Sequence, residues 1–367
     1  MCINSGQTLN PQPTTPPGSS NALNSKPGEP APFAGKEENI LLIRFKSIGD
    51  ILFTLPAVHV IREHFPQAKI TFLTSRENAS LIAGFRDVDE VLAIDRSVYH
   101  RRNVKAMVRE TVSLWRRLRR EKFSLAVDFQ GYGETGVITW LSRAKNRWGS
   151  VYRSGRGWAY THPVPRENQA HPANWNLSLL RQCGLGGGPV RNEFVVPDAA
   201  GDEARRFLAA QGLDSTRPTL FIQPFTSSPH KSWPLENYLA LAAHWKNRGV
   251  QIIFGGGPGD VAALAPARQA GFAVSAGVPM LVTAGLMKSC ALIVGGDTGL
   301  LHLAVAMDKR VVMLMPSAAR SRCHPFQHAD WVLTPPGDQT RISEITPGAV
   351  IDACARASAE LATAGRV

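Results

Sequence analysis

The residues best placed to do chemistry lie in a glycine-rich turn, residues 295–299, which reads GGDTG. The apolar run before it predicts a short buried strand, and Asp297 or Thr298 can cap the helix that follows, because either side chain can accept from the free N–H groups of its first turn. Such a turn aims backbone N–H groups and the positive end of a helix dipole at one point, which favours a phosphate. His302 lies four residues after Thr298 and shares its helix face. An ordinary capped helix fits the same local pattern.

The loop 224–234 is the second candidate, and it also lies between a predicted strand and a predicted helix. It holds Thr226, Ser227 and Lys231. Hydroxyl and amide donors can hold a diphosphate, and a cation can offset the charge of a leaving group without a metal. A surface loop with a solvated lysine is the alternative.

Asp50 follows the first apolar run, residues 40–45, and is the best candidate for a general base. A carboxylate that faces a cleft can take a proton from a sugar hydroxyl. Ser47 and Asp50 also have the spacing of a capping box, and the two roles can coexist. His59 and His64, further along the same helical pattern, are predicted to be structural.

Other polar residues have weaker signals. Asp297 would repel a phosphate directly, so we expect it to order the glycine turn or to pair with Lys231 or His302. Asp260 follows a second glycine-rich stretch, where it could accept from a ribose hydroxyl or could cap a helix. The Arg-rich segments that contain Arg101, Arg102 and Arg153 could dock an anionic acceptor, although each also fits a solvated face.

Composition limits the class of protein. The 367 residues carry a net charge of +12, and residues 36–190 hold 24 Lys and Arg against 14 Asp and Glu, whereas residues 191–367 hold 16 against 14. A basic first half predicts an anionic partner: an anionic substrate, an acidic membrane surface or a nucleic acid. The five cysteines form neither a C-x-x-C pair nor a zinc cluster, which favours a reducing cytoplasm and no metal. No apolar run is long enough for a membrane span, and no signal peptide is visible.

Strands alternate with helices in both halves, which predicts an α/β protein with two Rossmann-like parallel-sheet domains in tandem. We expect a disordered, proline-rich tail at 1–35, an acceptor-binding domain at 36–190 and a donor-binding domain at 191–367. Ligands bind at the carboxyl ends of the strands in such sheets, so the cleft between the domains is the expected site. The stretch 143–166 is rich in Arg, Trp, Tyr, Gly and Pro and is predicted to be irregular. The usual dinucleotide and P-loop fingerprints are absent.

Three stretches together resemble one known family. Residues 46–57 (KSIGDILFTLPA) resemble the opening motif of glycosyltransferase family 9, the ADP-heptose:lipopolysaccharide heptosyltransferases. Residues 231–234 (KSWP), with Tyr238, are similar to the donor loop of that family, and residues 296–304 (GDTGLLHLA) are similar to its most specific signature. The motifs stand in the family's order, and the resemblance covers about 40–350.

The resemblance implies a GT-B fold and an inverting sugar transfer that needs neither a metal nor another cofactor. It implies that Asp50 is the general base and that Lys231 acts on the leaving group. The residues that would hold the donor are Thr226, Ser227, Lys231, Asp297, Thr298, Gly299 and His302. Asp260 stands where the family often has a glutamate and would contact the nucleoside. The candidate acceptor ligands are Lys46, Arg101, Arg102, Arg153 and His171, which heads a helix as in the family.

We therefore expect a cytoplasmic enzyme, peripherally associated with the inner membrane, that moves heptose from an ADP-activated donor to the lipopolysaccharide inner core or a related anionic glycolipid. A transferase of the same fold with another nucleotide-sugar or an exopolysaccharide acceptor remains an alternative. So does a nucleotide-sugar epimerase or a sugar-nucleotide binding protein. Nucleic-acid binding is not expected, because the basic residues form no recognisable module for it.

Overall fold

The computed structural model describes residues 35–100, 103–152, 154–167, 169–228, 231–317, 320–337 and 340–363. Within these residues the strands form two six-stranded parallel sheets. The first comprises β1 (Asn39–Ile43), β2 (Lys69–Ser75), β3 (Glu90–Ile94), β4 (Leu125–Asp128), β5 (Asn146–Val151) and β6 (His162–Pro165). The second comprises β7 (Thr219–Gln223), β8 (Gln251–Phe254), β9 (Ala273–Val274), β10 (Leu292–Gly296), β11 (Val311–Leu314) and β12 (Val332–Leu333).

The helices alternate with these strands, as the parallel pairing requires. In the first half they are α1 (Ile48–Leu52), α2 (Leu55–His64), α3 (Ser97–His100), α4 (Val104–Glu121), α5 (Gly133–Leu141) and α6 (Pro172–Gln182). In the second half they are α7 (Asp198–Ala210), α8 (Leu235–Lys246), α9 (Ala265–Gln269), α10 (Met280–Ser289), α11 (Gly299–Ala306), α12 (Arg320–Cys323) and α13 (Pro347–Thr363).

Both sheets have the same strand order relative to their own sequence. The first runs β3-β2-β1-β4-β5-β6 and the second runs β9-β8-β7-β10-β11-β12. The order reverses between β1 and β4 in one sheet and between β7 and β10 in the other, and ligands of such sheets bind at that reversal. Asp50 lies in α1, directly after β1, whereas Lys231 and Asp297 lie in the loops after β7 and β10. All three residues therefore follow strands that stand beside the reversal.

The prediction of an irregular segment at 143–166 was wrong, because this stretch forms β5 and β6. Trp148 is fully buried in β5, so an aromatic residue of the stretch that was predicted to be irregular belongs to the core. Pro163 and Pro165 are tolerated because β6 is an edge strand, where a missing N–H breaks no sheet hydrogen bond.

The two halves share buried packing. The largest apolar cluster joins residues of both, from Ile40 in β1 to Phe326 after α12. The N–H of Phe194 donates to the carbonyl oxygen of Ala306 (2.7 Å), and the N–H of Val195 donates to that of Gly84 (2.9 Å). The sheets fall on either side of the predicted domain boundary at 190, and the exact boundary stays a prediction. The predicted tail lies outside the described residues except for Gly35.

Candidate active site

Asp50 is fixed through a single carboxylate oxygen. Its Oδ2 accepts from the backbone N–H of Ser47 (3.0 Å) and from the Ser47 hydroxyl (3.3 Å). The same oxygen pairs with the Arg44 guanidinium at 2.9 Å. The predicted capping box is therefore confirmed. Among the described residues, Asp50 Oδ1 has no hydrogen-bond or ion-pair partner. This oxygen of the partly exposed carboxylate is therefore available to another group.

Arg44 and Arg166 form a pair of buried basic side chains, and Arg44 is the one that contacts Asp50. Its Nη1 donates to the carbonyl oxygen of Phe129 (2.8 Å), and Arg166 donates to the carbonyl oxygens of Phe129 (3.0 Å) and Gln130 (3.1 Å). Burial, together with the charge of Arg44, lowers the pKa of Arg166 to about 10, so the Arg166 side chain stays cationic at neutral pH. These bonds tie the loop after β1 to the loop after β4 at the edge where ligands bind.

Sequence reasoning missed both arginines. Arg44 lies inside the apolar run 40–45, and its charge was given no role of its own. A cation at the carboxyl end of a buried strand is a signal that could have identified it, because an ionised group in that position needs a partner. Arg166 had no such signal, since it follows a strand that the sequence did not indicate.

Lys231, Asp297 and His302 form one charged cluster in the second domain. The Lys231 ammonium donates to Asp297 Oδ2 at 2.6 Å, and His302 Nε2 donates to Asp297 Oδ1 at 3.1 Å. Burial acts to raise the pKa of Asp297, but the hydrogen bonds and charges of His302 and Lys231 outweigh it and lower that pKa to about 2. The carboxylate is therefore ionised at any physiological pH. The predicted pairing of Asp297 with Lys231 or His302 is confirmed, with both partners at once.

The glycine turn lets the donor loop come close. A Cβ at Gly296 would lie 2.7 Å from the Lys231 carbonyl oxygen and from Thr226 Cγ2, which is too short for any side chain. The Thr226 hydroxyl donates to the carbonyl oxygen of Ser228 within the same loop (2.7 Å), while Ser227 is exposed. The loop is anchored by Trp233, whose Nε1 donates to the carbonyl oxygen of Ile345 (2.8 Å). Lys231 and Thr226 of the loop are thus packed directly against the glycine turn.

The N-terminus of α11 meets α1 across the domains. Thr298 caps α11 by accepting from the N–H of Leu301 at 3.4 Å. A Cβ at Gly299 would lie 2.7 Å from Ile48 Cβ, and one at Gly49 would lie 3.3 Å from His302 Cδ2. The specific motifs of the two halves are therefore in direct contact, and close packing between helices is one reason for the glycine at 299.

His171 lies between the domains rather than in an open pocket. Its Nδ1 accepts from the N–H of Ala173 (3.1 Å), so its Nε2–H donates to the carbonyl oxygen of His324 (3.0 Å). Burial lowers its pKa to about 4, with the hydrogen bond to His324 acting in the opposite direction. Both ring nitrogens of this neutral imidazole are occupied, and this geometry does not support the acceptor role that the resemblance implied.

The remaining candidates lie apart from this cluster or outside the described residues. Asp260 ends a short 3₁₀ turn whose N-cap is Gly257, so the prediction that Asp260 is itself the N-cap was wrong. Its Oδ2 accepts from the N–H of Gly257 at 2.8 Å, and its nucleoside role stays a prediction. The Lys46 side chain is exposed, four residues before Asp50 in the sequence. Arg101, Arg102 and Arg153 lie outside the described residues. Among the residues that are described, no group of three His, Cys, Asp or Glu side chains could hold a metal ion.

Cys323 is a neighbour that the sequence did not indicate. Burial raises the pKa of its thiol to about 11, and the charges of Asp297, Lys231 and Asp50 also act on it. The thiol is therefore protonated at neutral pH and lies within electrostatic reach of all three. Cys323 is therefore close to both the Asp50 carboxylate of the first domain and the charged cluster of the second.

Known proteins resemble this chain in sequence. The family description glycosyltransferase family 9 (heptosyltransferase) matches residues 111–339. The lipopolysaccharide core heptosyltransferase OpsX of Haemophilus influenzae is 20% identical over 313 residues, which are 82% of this chain and 86% of that protein.

Solved structures show the same fold. A family 9 glycosyltransferase from Veillonella parvula superposes with a TM-score of 0.80 at 18% identity, over 89% of this chain and 98% of that one. The heptosyltransferase WaaC of E. coli, solved with ADP, superposes with a TM-score of 0.72 at 18% identity, over 87% of this chain and 99% of that one. The fold is thus GT-B, with two Rossmann-like domains that face each other.

Proposed function

Since the chain belongs to glycosyltransferase family 9, the heptosyltransferases, we propose that it moves a heptose from an ADP-activated donor to the inner core of lipopolysaccharide or a related anionic glycolipid. The transfer inverts the anomeric configuration and needs no metal. The donor is supported by the E. coli relative WaaC, solved with ADP and with an ADP-2-deoxy-2-fluoro heptose. The acceptor is supported by the relative OpsX, which is named a lipopolysaccharide core heptosyltransferase.

One observation carries the proposal: α1 and α11 are in contact, so the Asp50 carboxylate and the Lys231–Asp297–His302 cluster lie on elements that meet across the two domains. In the proposed reaction Asp50 takes the proton of an acceptor hydroxyl as that oxygen attacks the anomeric carbon. The bond from this carbon to the diphosphate breaks, and its electron pair leaves with ADP. Attack from the opposite face inverts the configuration without a covalent enzyme intermediate.

Lys231 offsets the charge that develops on the diphosphate. An ammonium group has three donors, and Asp297 takes one of those of Lys231, so others remain for phosphate oxygens. Backbone N–H groups at the start of α11 act on the same charge. A fixed lysine and amide dipoles supply the electrostatic stabilisation that a divalent metal gives in other transferases, and this supports the metal-independent form of the proposal.

We extend the proposal to the place of action, the cytoplasmic surface of the inner membrane. A glycolipid acceptor lies in a membrane, and the first half of the chain carries nearly all of the net positive charge. Basic surfaces are attracted to anionic lipid headgroups. No helix in the described part of the chain is both long and apolar enough to cross a bilayer.

Calorimetry tests the donor site. Purified protein is titrated with ADP, UDP, GDP and NAD in the presence of EDTA, and the titration is repeated on Lys231→Ala. Lys288→Ala, at an exposed lysine of the same domain, is the matched control. We expect ADP to bind most tightly and the Lys231→Ala variant to lose about tenfold to a hundredfold in affinity, which is the range for a charged hydrogen bond. A preference for UDP or GDP would support the same fold with another donor, and no nucleotide binding would contradict the proposal.

A further inference from the structure

An apolar groove opens on the first domain between α4 and α5. It has a volume of about 390 Å³, which falls in the range of small-molecule sites. Its floor is made by Phe45, Ile94 and Leu118, which are all buried. Its rim carries Trp115 and Val137, whose side chains are 46% and 42% exposed. Large apolar side chains that remain in contact with solvent around a cavity of this size mark a binding surface.

The helix beside the groove is strongly basic. Lys105, Arg109, Arg116 and Arg119 are exposed along α4, and none of them forms an ion pair with another residue that the structure describes. A helix that combines such cations with exposed apolar side chains has the character of a segment that lies at a membrane interface.

The groove lies next to the catalytic loop. Phe45, at its floor, is in the loop that connects β1 to α1, the helix that carries Asp50, and Ile94 ends β3 at the same carboxyl edge of the sheet. At the groove, Arg96 pairs with Glu134 at 2.7 Å, and its guanidinium lies 5.2 Å from the Phe45 ring centroid. A chain seated in the groove would therefore be close to an acceptor headgroup at Asp50.

We propose that this groove binds an acyl chain of an anionic lipid at the membrane surface, with the free cations of α4 on the lipid phosphates. The inference rests on the proposed function, because it gives the glycolipid-transferring site its lipid contact. Charge selects this occupant over a second copy of the chain. Two copies joined through this face would bring two basic helices together, whereas an anionic bilayer supplies the opposite charge.

Flotation with lipid vesicles tests the surface. Full-length protein is mixed with phosphatidylcholine vesicles, with or without phosphatidylglycerol, in the absence of donor and acceptor. We expect flotation only with the anionic vesicles, a loss of about 30-fold in affinity for the double variant Arg116→Gln/Arg119→Gln, and a loss of about tenfold for Val137→Asp. Val261→Asp is the matched control, because Val261 is 39% exposed in the second domain.

Unchanged flotation of Val137→Asp, or equal flotation with neutral vesicles, would overturn the inference. Sedimentation equilibrium adds a second criterion. If the wild-type protein self-associates and Val137→Asp does not, the groove joins two copies of the chain and the proposal is wrong.

Fluorescence quenching distinguishes the insertion of an acyl chain into the groove from the binding of lipid headgroups alone. Anionic vesicles that carry bromine atoms on their acyl chains should quench the wild-type protein more than Trp115→Phe, because Trp115 stands at the rim. Equal quenching of the two proteins would overturn the acyl-chain part.

The proposed function and the proposed lipid groove can be contradicted independently of each other. A protein that floats normally but transfers no heptose would contradict the proposed function alone. A protein that transfers heptose to a deacylated acceptor but does not float would contradict the groove alone.

Discussion

Asp50 shows how one side chain can serve both structure and chemistry. Its Oδ2 is occupied by Ser47 and Arg44, and its Oδ1 is left over. The contact with Ser47 could be predicted because a capping box has a fixed spacing of three residues. The contact with Arg44 could not, because it depends on where the loop folds back after β1.

Asp50→Asn keeps an oxygen that can cap α1 but removes the carboxylate that we propose as the base. We expect kcat for heptose transfer to fall by about 10²-fold to 10⁴-fold, the usual contribution of a general base. Calorimetry should show that ADP still binds as it does to the wild type. Glu77→Gln, at an exposed carboxylate of the same domain, should keep its activity. Full activity of Asp50→Asn would exclude this residue as the base.

Asp297 links the site to stability through pH. Its pKa in the folded protein is lowered to about 2, below its ordinary value near 4. The unfolded chain therefore binds its proton at a higher pH than the folded protein does. The stabilisation is present above pH 4 and is lost as the pH falls from about 4 to about 2, and a shift of this size corresponds to about 2 kcal/mol.

Denaturant unfolding of the wild type and of Asp297→Asn should therefore differ most at neutral pH. We expect the difference in the free energy of unfolding to narrow as the pH approaches 2. A constant difference across that window would show that the carboxylate charge is not what stabilises the cluster.

At the scale of elements, the glycine turn before α11 could be located from sequence, but its contacts could not. The pattern predicted a helix N-terminus open to a phosphate. The structure packs Gly299 against Ile48 of the other domain. Sequence spacing describes one element at a time, and this contact depends on how two sheets face each other.

Gly299→Ala should disturb that contact, because its new Cβ would be 2.7 Å from Ile48 Cβ. We expect a loss of about 1–3 kcal/mol in the free energy of unfolding, typical of an overpacked site, together with slower transfer. Gly133→Ala is the matched control, since Gly133 also opens a helix and a Cβ there would meet nothing within 4 Å. Equal effects of the two substitutions would mean that helix propensity, rather than the contact with α1, sets the requirement at 299.

For the whole molecule, alternation of strands and helices was sufficient to predict two Rossmann-like domains, and the three motifs were sufficient to predict the family, which the match over 111–339 confirms. The packing between domains was not predictable. Phe53 lies with its ring centroid 4.8 Å from that of His171 and 4.6 Å from that of His302. These three residues are far apart in sequence, and nothing in their local patterns indicates that they meet.

His171 makes this interface sensitive to acid. Burial lowers its pKa to about 4, so between about pH 6.5 and 4 the unfolded chain binds a proton that the folded protein does not. The free energy of unfolding should therefore fall across that window as the pH is lowered, by up to about 3 kcal/mol. His171→Asn keeps an N-cap acceptor and does not titrate, so its unfolding should depend less on pH there. Parallel profiles of the two proteins would refute this assignment.

The ion pair between Lys231 and Asp297 has a consequence for how a donor is received. The ammonium group is already oriented before any nucleotide arrives, since its partner is buried and ionised. In the proposed reaction, binding of the donor would then require little reorganisation, because the charge that meets the leaving group is preorganised. Seen from a distance, the negative charge of Asp297 cancels the positive charge of Lys231, so the site exerts little long-range attraction on simple anions. The site should therefore favour ligands that are large enough to contact both the loop after β7 and the turn after β10.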